Sequence, residues 1–419
     1  MKPLKICIDA RLASGEVGGV EQLIVGLATG LSKLTDGSEE YLFLAYSDSK
    51  DWLTPYLGGS CRILDDVETP RESIERRILK EKIPWLMDIL HSFDPRILDR
   101  IITQEKSNGV IEGAGADIMH FTMQNAFLTE VPSIYHPHDL QHIHIPEAFS
   151  LRRRVLRHEM YRAFCNQASM IAVASEFVKR DLIQNYQLLD EKIKVVSLAP
   201  VVANYSEPSL EELVNVKRKF SLPDDFVFYP AQTWPHKNHI GLLSALALLR
   251  EQRSIRVNAV FSGKLDKFFT TIEDKIQELD LKSQVLFLNF VSPKELRSLY
   301  KLCRCVVIPT KFEAASFPLW EAFIMEVPAA CSNVTSLPGQ AGDAALIFDP
   351  DKQDEMADKI YELWTDENLR SDLIEKGRKN VSRLSWERTA RTFRAHYRRI
   401  ANHCLTDEDI KIISTPSLF

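Results

Sequence analysis

No run of apolar residues in this 419-residue chain is long enough to cross a bilayer. Its first residues carry no basic, apolar and small-residue leader. A soluble protein is expected, held at most on a membrane surface. The seven cysteines, Cys7, Cys61, Cys165, Cys303, Cys305, Cys331 and Cys404, are odd in number and scattered, several of them inside apolar strand-like runs. That argues against a disulfide framework and for buried thiols in a reducing, cytoplasmic compartment. Positive charge is not in excess: the formal net charge of −6 argues against nucleic acid as the main partner. No compact Gly-x-Gly-x-x-Gly follows the first strand pattern, where Gly15, Gly18 and Gly19 stand instead, and this weighs against a nicotinamide dinucleotide. His136, His138, His142 and His144 crowd together, but no nearby cysteine or carboxylate spacing makes a zinc motif, and no metal site is expected. No residue stands out as a covalent nucleophile.

What is present is ordinary globular composition, 45% apolar and 26% charged, over a length that fits roughly two or three domains. Strand and helix patterns alternate. Strands are expected at Leu4–Asp9, Tyr41–Ala45, Asp117–Phe121, Ser133–His136, Met170–Ala174 and Ile193–Val196. Between the first two, a loop with the three glycines precedes a helical face of Val20, Leu23, Ile24, Leu27, Leu31 and Leu34. Ser175 reads as the N-cap of the helix that follows it. Prolines, polar residues and a short charged helix, Leu210–Phe220, fill the stretch Ala199–Pro223, as at a domain junction. Strands then resume at Phe226–Tyr229, Val257–Phe261, Val285–Leu288, Cys305–Ile308, Ala329–Cys331 and Leu346–Phe348. The expectation is an α/β chain of two Rossmann-like, doubly wound parallel-sheet domains facing a central cleft. Their bounds are 1–203 and 204–384, and a last segment, 385–419, carries a helix with Trp386, Ala390, Phe393, Tyr397 and Ile400 on one face, suited to packing back on the first domain.

The most informative stretch is Phe312-Glu313-Ala314-Ala315-Ser316-Phe317-Pro318-Leu319-Trp320-Glu321. A buried strand ends, a loop carries Glu313, and Pro318 suits the start of a helix that holds Glu321 one turn in. Such a helix start at the carboxyl end of a parallel sheet offers N–H groups and a positive dipole end to a phosphate. Two acids would repel phosphate alone. They make sense if they take hydroxyl groups, such as those of a ribose and a hexose on either side of a diphosphate. The loop Tyr229-Pro230-Ala231-Gln232-Thr233-Trp234-Pro235-His236-Lys237-Asn238-His239 places Lys237 near the next helix start, where its charge suits the same diphosphate.

Together these features resemble the retaining glycosyltransferases of the two-domain GT-B type, family 4. The resemblance rests on the Glu313 and Glu321 motif with Phe317-Pro318, the Lys237 loop, Gly18-Gly19-Val20-Glu21, His138-Asp139-Leu140, Ser175-Glu176-Phe177, and Leu337-Pro338 to Gly342-Asp343-Ala344-Ala345, all in the family's order. It implies a metal-independent transfer of a hexose from a nucleoside-diphosphate sugar, with retention at the anomeric carbon. By that resemblance Glu321 binds the ribose and Glu313 lies beside the transferred sugar. Backbone N–H groups at Ser316, Phe317 and Leu319 hold sugar and phosphate, and Lys237 neutralises the diphosphate. Gly18 and Gly19 bring their loop to the phosphates, and His138 sits near donor sugar and acceptor. Two departures stand out. Gln232 occupies the place of a usual arginine, and Ala314-Ala315-Ser316 that of Gly-Phe-Gly, where methyl groups leave less room.

The Trp234-Pro235-His236-Lys237-Asn238-His239 loop resembles those of polysaccharide-building members, some of which use GDP-mannose. No separate cofactor is implied. The expected partners are a sugar nucleotide and a glycan or polyprenyl-linked acceptor in cell-surface polysaccharide synthesis. The basic stretch Ser150-Leu151-Arg152-Arg153-Arg154-Val155-Leu156-Arg157-His158 reads as a solvated helix face or as a weak, peripheral contact with the inner face of a membrane. A sugar-nucleotide 2-epimerase of the same architecture and a non-catalytic nucleotide-binding protein are the alternatives.

Overall fold

The structure is a computed structural model, and it describes residues 2–12, 18–66, 105–204 and 207–415. Gly15 lies outside the described residues. The chain divides at Leu198/Ala199 and again at Leu384/Ser385, so that the segment from Ser385 onward belongs with the N-terminal half.

The first unit holds a parallel sheet of β1 (Lys5–Asp9), β2 (Glu40–Tyr46), β3 (Cys61–Asp66), β4 (Ile118–Phe121), β5 (Ser133–Tyr135), β6 (Met170–Val173) and β7 (Ile193–Val195). Their spatial order is β3-β2-β1-β4-β5-β6-β7. The second unit repeats the plan with β8 (Val227–Pro230), β9 (Ala259–Ser262), β10 (Val285–Phe287), β11 (Cys305–Ile308), β12 (Ala329–Ser332) and β13 (Ala345–Phe348), in the order β10-β9-β8-β11-β12-β13. Parallel sheets are covered by helices on both faces, so their central strands need apolar residues at every position rather than at alternate ones. Met170-Ile171-Ala172-Val173 and Cys305-Val306-Val307-Ile308 are of this kind and are wholly buried. Each expected strand is found, within one or two residues at either end. The strand β3 was not expected. Its sequence, Cys61-Arg62-Ile63-Leu64-Asp65-Asp66, is half charged, because it lies at the sheet edge, pairs only with β2, and leaves Arg62 and Asp65 exposed.

Both sheets wind outward in two directions from a central pair, β1 beside β4 and β8 beside β11. Connections leave those two strands towards opposite sides, which opens a crevice at their carboxyl ends.

The helix Trp386–Ile400 packs on the helix Gly18–Ser32 of the first unit. The approach is close enough to require glycine. A Cβ on Gly26 would fall 1.9 Å from the Trp386 indole, and one on Gly30 would fall 2.3 Å from the Trp386 carbonyl oxygen. Ion pairs fix the register: Arg394 reaches Asp36 at 2.5 Å, and Arg398 binds Glu39 and Asp409, each at 2.7 Å. The two guanidinium groups of Arg394 and Arg391 hold the Asp36 carboxyl well below the usual carboxylate range. The basic stretch forms the start of the helix Leu151–Gln167, capped by Ser150, with Leu151, Arg152 and Arg153 exposed. Arg157 does not belong to that open face, since it donates to Asp139 at 2.7 Å and to the Tyr161 hydroxyl at 2.8 Å. Among the described residues no helix is long and apolar enough to cross a membrane.

Two outcomes follow for stability. Gly26→Ala should lower the thermal midpoint, because the Trp386 ring has to move; overpacking of this kind costs about 1–3 kcal/mol, and an unchanged midpoint would contradict the packing described. His239 tests burial in the second unit. It lies among Tyr229, Phe261 and Phe287 with no hydrogen-bond partner on either ring nitrogen among the described residues, and burial pushes its pKa down to about 3. Below pH 6.5 the unfolded chain therefore binds a proton that the folded one refuses, so stability falls as pH falls from 6.5 towards 3, by about 2 kcal/mol at pH 5 from this group. His239→Phe should show a smaller drop in midpoint between pH 7.5 and pH 5 than the wild type. An equal drop would refute it.

Candidate active site

The crevice of the second sheet is bordered by the loops after β8 and β11, and these loops carry Lys237 and Glu313. Lys237 ends a short 3-10 turn, Pro235–Lys237, and Asn238 follows in the left-handed region at φ 57°. Asparagine tolerates that conformation, and its side chain caps the helix His239–Arg253 by accepting from the Gly241 N–H. The same amide donates to the carbonyls of Pro309 and Pro350, both at 3.0 Å, which ties the lysine loop to the end of β11. Thr310 Oγ1 and the Lys311 N–H donate to the His236 carbonyl at 3.1 and 2.7 Å. Two loops far apart in sequence are thus one rigid border.

Across it, Lys237 Nζ and Glu313 Oε2 lie 2.7 Å apart, each side chain about one-sixth exposed at 17% and 16%. The pair faces the crevice and is only partly wetted, so its charges act more strongly than they would in open water. Trp234, in the same loop, is 42% exposed. Gln232 is half-buried, and its side chain has no hydrogen-bond partner among the described residues.

The helix expected after Glu313 runs from Phe317 to Ile324, with Ser316 as N-cap residue and Pro318 in its first turn. Phe317 is half-buried and Leu319 buried. Glu321 is 3% exposed and accepts from the Tyr300 hydroxyl at 2.7 Å. Burial and the Glu321 charge push the Tyr300 phenol up, which keeps it the donor in that bond. One expectation meets a different arrangement: the Ser316 N–H, assigned to sugar or phosphate, is already taken by Gln340 Oε1 at 2.8 Å.

Gly18 and Gly19 stand in the first turn of the helix Gly18–Ser32 rather than in the loop before it. His138 follows β5, also in the first unit, with φ 64° and Nε2 2.7 Å from the Thr122 carbonyl. Since a carbonyl can only accept, Nε2 carries the proton and Nδ1 is the acceptor nitrogen. Burial lowers the pKa of His138. Behind it His136 and His120 face each other through their Nε2 atoms at 2.8 Å, and His120 Nδ1 meets the Tyr397 hydroxyl at 2.6 Å. Burial holds His120 down to about 3 and His136 well below its ordinary value, so both are neutral. His144 goes elsewhere, to Asp181 at 2.8 Å. Among the described residues no group of three or more histidine, cysteine or acidic side chains is arranged to hold a metal ion.

The structure therefore brings Lys237 and Glu313 into contact and sets Ser316, Phe317, Leu319 and Glu321 along one helix start, while Gly18, Gly19 and His138 belong to the other unit. Asn238, Tyr300, Gln340 and Thr335, whose hydroxyl bonds the Glu313 backbone, were not anticipated. Asn238 had a legible signal, an asparagine directly before an apolar helical pattern; the others have none, because their partners lie some twenty residues away.

Comparison with known proteins identifies the family of both units. Residues 213–380 match the model of the glycosyl transferases group 1, and residues 17–199 that of glycosyltransferase family 4. The chain is 27% identical over 261 residues to O-antigen chain mannosyltransferase B of Escherichia coli, covering 62% of this chain and 68% of that protein. It is 27% identical over 230 residues to the serotype-specific mannosyltransferase WbdA of Escherichia coli, covering 54% of this chain and 28% of that much longer protein. Among solved structures, Anabaena HepE in complex with UDP and glucose superposes with a TM-score of 0.67 at 17% identity, over 94% of this chain and 99% of that one, a likeness of fold. The architecture is GT-B. With β2 to β7 of the first sheet and all of the second covered by models of one enzyme class, the chain belongs to the group 1 and family 4 glycosyltransferases.

Proposed function

We propose that the enzyme transfers a hexose, with mannose from GDP-mannose as the first choice, to a hydroxyl of a glycan or lipid-linked acceptor in cell-surface polysaccharide synthesis, with retention at the anomeric carbon. The observation that carries this reading is the Lys237 and Glu313 pair at the switch point of the second sheet. Kinship to two mannosyltransferases supports the choice of sugar.

A diphosphate entering the crevice carries more negative charge than one carboxylate and draws the Lys237 ammonium to itself. Glu313 then loses its partner and turns its oxygens to the hydroxyls of the sugar. As the bond between the anomeric carbon and the phosphate oxygen breaks, the electron pair goes to that oxygen, and Lys237 stabilises the growing charge. The acceptor oxygen bonds to the same face of the anomeric carbon, and its proton passes to the departing phosphate. Glu321, fixed by Tyr300, is the ribose anchor. Half-buried Gln232 offers an amide to the diphosphate where an arginine is usual. Phe317 and Leu319 contribute backbone N–H groups at the helix start, Gly18 and Gly19 present theirs at the start of their own helix, and His138 offers Nδ1 to a hydroxyl. The transfer proceeds in this reading without a metal, in the cytoplasm, with the exposed start of the helix Leu151–Gln167 as the place for any weak membrane contact.

A thermal-shift panel of UDP-, GDP-, ADP- and dTDP-sugars tests class and base together. A true donor at a hundred times its Kd adds about 2.7 kcal/mol of stability, and GDP-mannose should be the compound that does so. A panel without any shift would sink the reading, and donor converted to an epimer without acceptor would replace it. With the selected donor, Lys237→Ala and Glu313→Gln should each lower kcat by more than about tenfold, read as nucleoside diphosphate release. Near-normal turnover of either variant contradicts its role.

A further inference from the structure

The turn Glu313-Ala314-Ala315-Ser316 contains no glycine, yet it must carry Glu313 to Lys237 and then enter a helix. Its conformation is imposed from the next loop, the one after β12. Thr335 Oγ1 accepts from the Glu313 N–H at 3.0 Å and donates to the Glu313 carbonyl at 2.6 Å, so one hydroxyl engages both polar atoms of that residue's backbone. The Ser336 N–H and hydroxyl also reach the Glu313 carbonyl, at 3.3 and 2.8 Å. At the other end of the turn Gln340 Oε1 accepts from the Ser316 N–H at 2.8 Å, and its Nε2 donates to the Ser316 carbonyl at 3.4 Å. Gln340 is 1% exposed, with Ser336 Oγ 3.1 Å from its Oε1, and Asn380 donates to its backbone carbonyl at 3.0 Å.

Thr335 sits at φ 53°, where a β-branched residue is strained. A glycine or asparagine would suit that backbone better, but neither can place a hydroxyl on Glu313. Strain of this kind is retained where a particular side chain is required at that point.

We propose that Thr335 and Gln340 are positioning residues of the transfer reaction: they hold the two ends of the turn and thereby aim the Glu313 carboxylate at the crevice. The proposal rests on the role given to Glu313 above. It also accounts for a glycine-free turn at this place, since side chains from the neighbouring loop and from the short helix Leu337–Ala341 that follows it fix the path, and it implies that phosphate is gripped without the Ser316 N–H. Neither residue touches substrate; each acts through Glu313.

The test is steady-state kinetics with the donor selected from the panel of UDP-, GDP-, ADP- and dTDP-sugars, with concentrations of folded enzyme set by titration with the matching nucleoside diphosphate. Thr335→Val keeps the shape and removes the hydroxyl, Thr335→Ser keeps the hydroxyl, and Gln340→Leu removes both side-chain hydrogen bonds to Ser316 together with that from Ser336. Thr335→Val and Gln340→Leu should lower kcat by about tenfold or more while donor KM stays within about threefold, as expected when an aligned group is displaced. Thr335→Ser should keep at least about half of the wild-type kcat, a rescue that separates the hydroxyl from packing. Val and Leu variants with kcat within about twofold of wild type, a raised KM at unchanged kcat, or a Ser variant as slow as the Val variant would overturn the proposal. Glu313→Gln run beside them separates the two failures. If it is slow while Thr335→Val is normal, only the positioning role falls; if it is normal, the role of Glu313 falls and this proposal with it.

Discussion

An ammonium and a carboxylate 2.7 Å apart, Lys237 and Glu313, stand where the second sheet reverses its direction of winding. Their meeting depends on strand order. Because β8 pairs with β11, loops separated by more than seventy residues leave adjacent strands on either side of one crevice. Neither charge could be held there alone at acceptable cost, since an unpaired ion at a partly dry site loses much of its hydration. Paired, each holds the other in place without fixing either permanently. A ligand that is negative at one end and rich in hydroxyls at the other can divide the pair, and a sugar nucleotide has that form.

The parts around the pair differ in what they do. Asn238 fixes the lysine side by capping its helix and binding the carbonyls of Pro309 and Pro350, so that Lys237 stands on a rigid base. On the acid side the backbone is held by Thr335, Ser336 and Gln340, and Glu321 is locked by Tyr300. Preorganisation of this kind places dipoles before reaction rather than during it, which is how a site stabilises a charge that exists only near the transition state.

The legible parts of this chain were those that repeat or that obey a local rule. Strands buried on both faces show as unbroken apolar runs, and Ser175 sits as the N-cap of its helix, accepting from the Val178 N–H. The edge strand β3 escaped notice because half of it is charged, and the Gly18 and Gly19 pair read as loop because glycine lowers helix propensity, although both begin a helix. The lysine and the two acids could be picked out as chemistry at helix starts, and the resemblance gave them roles. Their mutual distance could not be read, since it follows from strand order. Thr335 and Gln340 bind partners 22 and 24 residues away through side chains of ordinary polarity, so no local pattern marks them.

The two sheets share a winding order, yet their crevices are electrically different. At the end of β1 the Asp9 carboxylate is fully buried and held by Arg11 through two bonds of 2.9 Å, and Arg11 also reaches Asp66 at 3.3 Å. Asn108 donates to Asp66 at 2.7 Å, and Arg11 lies over the Phe127 ring. Drawing Arg11 away would uncover the fully buried Asp9 carboxylate that it holds, so this cation is committed to its own cluster. The Lys237 and Glu313 pair has one partner on each side and partial access to water, and separating it uncovers a single charge that a ligand hydroxyl can meet. The same topology thus gives one crevice whose charges are fixed structure and one whose charges can exchange partners. For a diphosphate, only the second of these offers a cation that can be released to it.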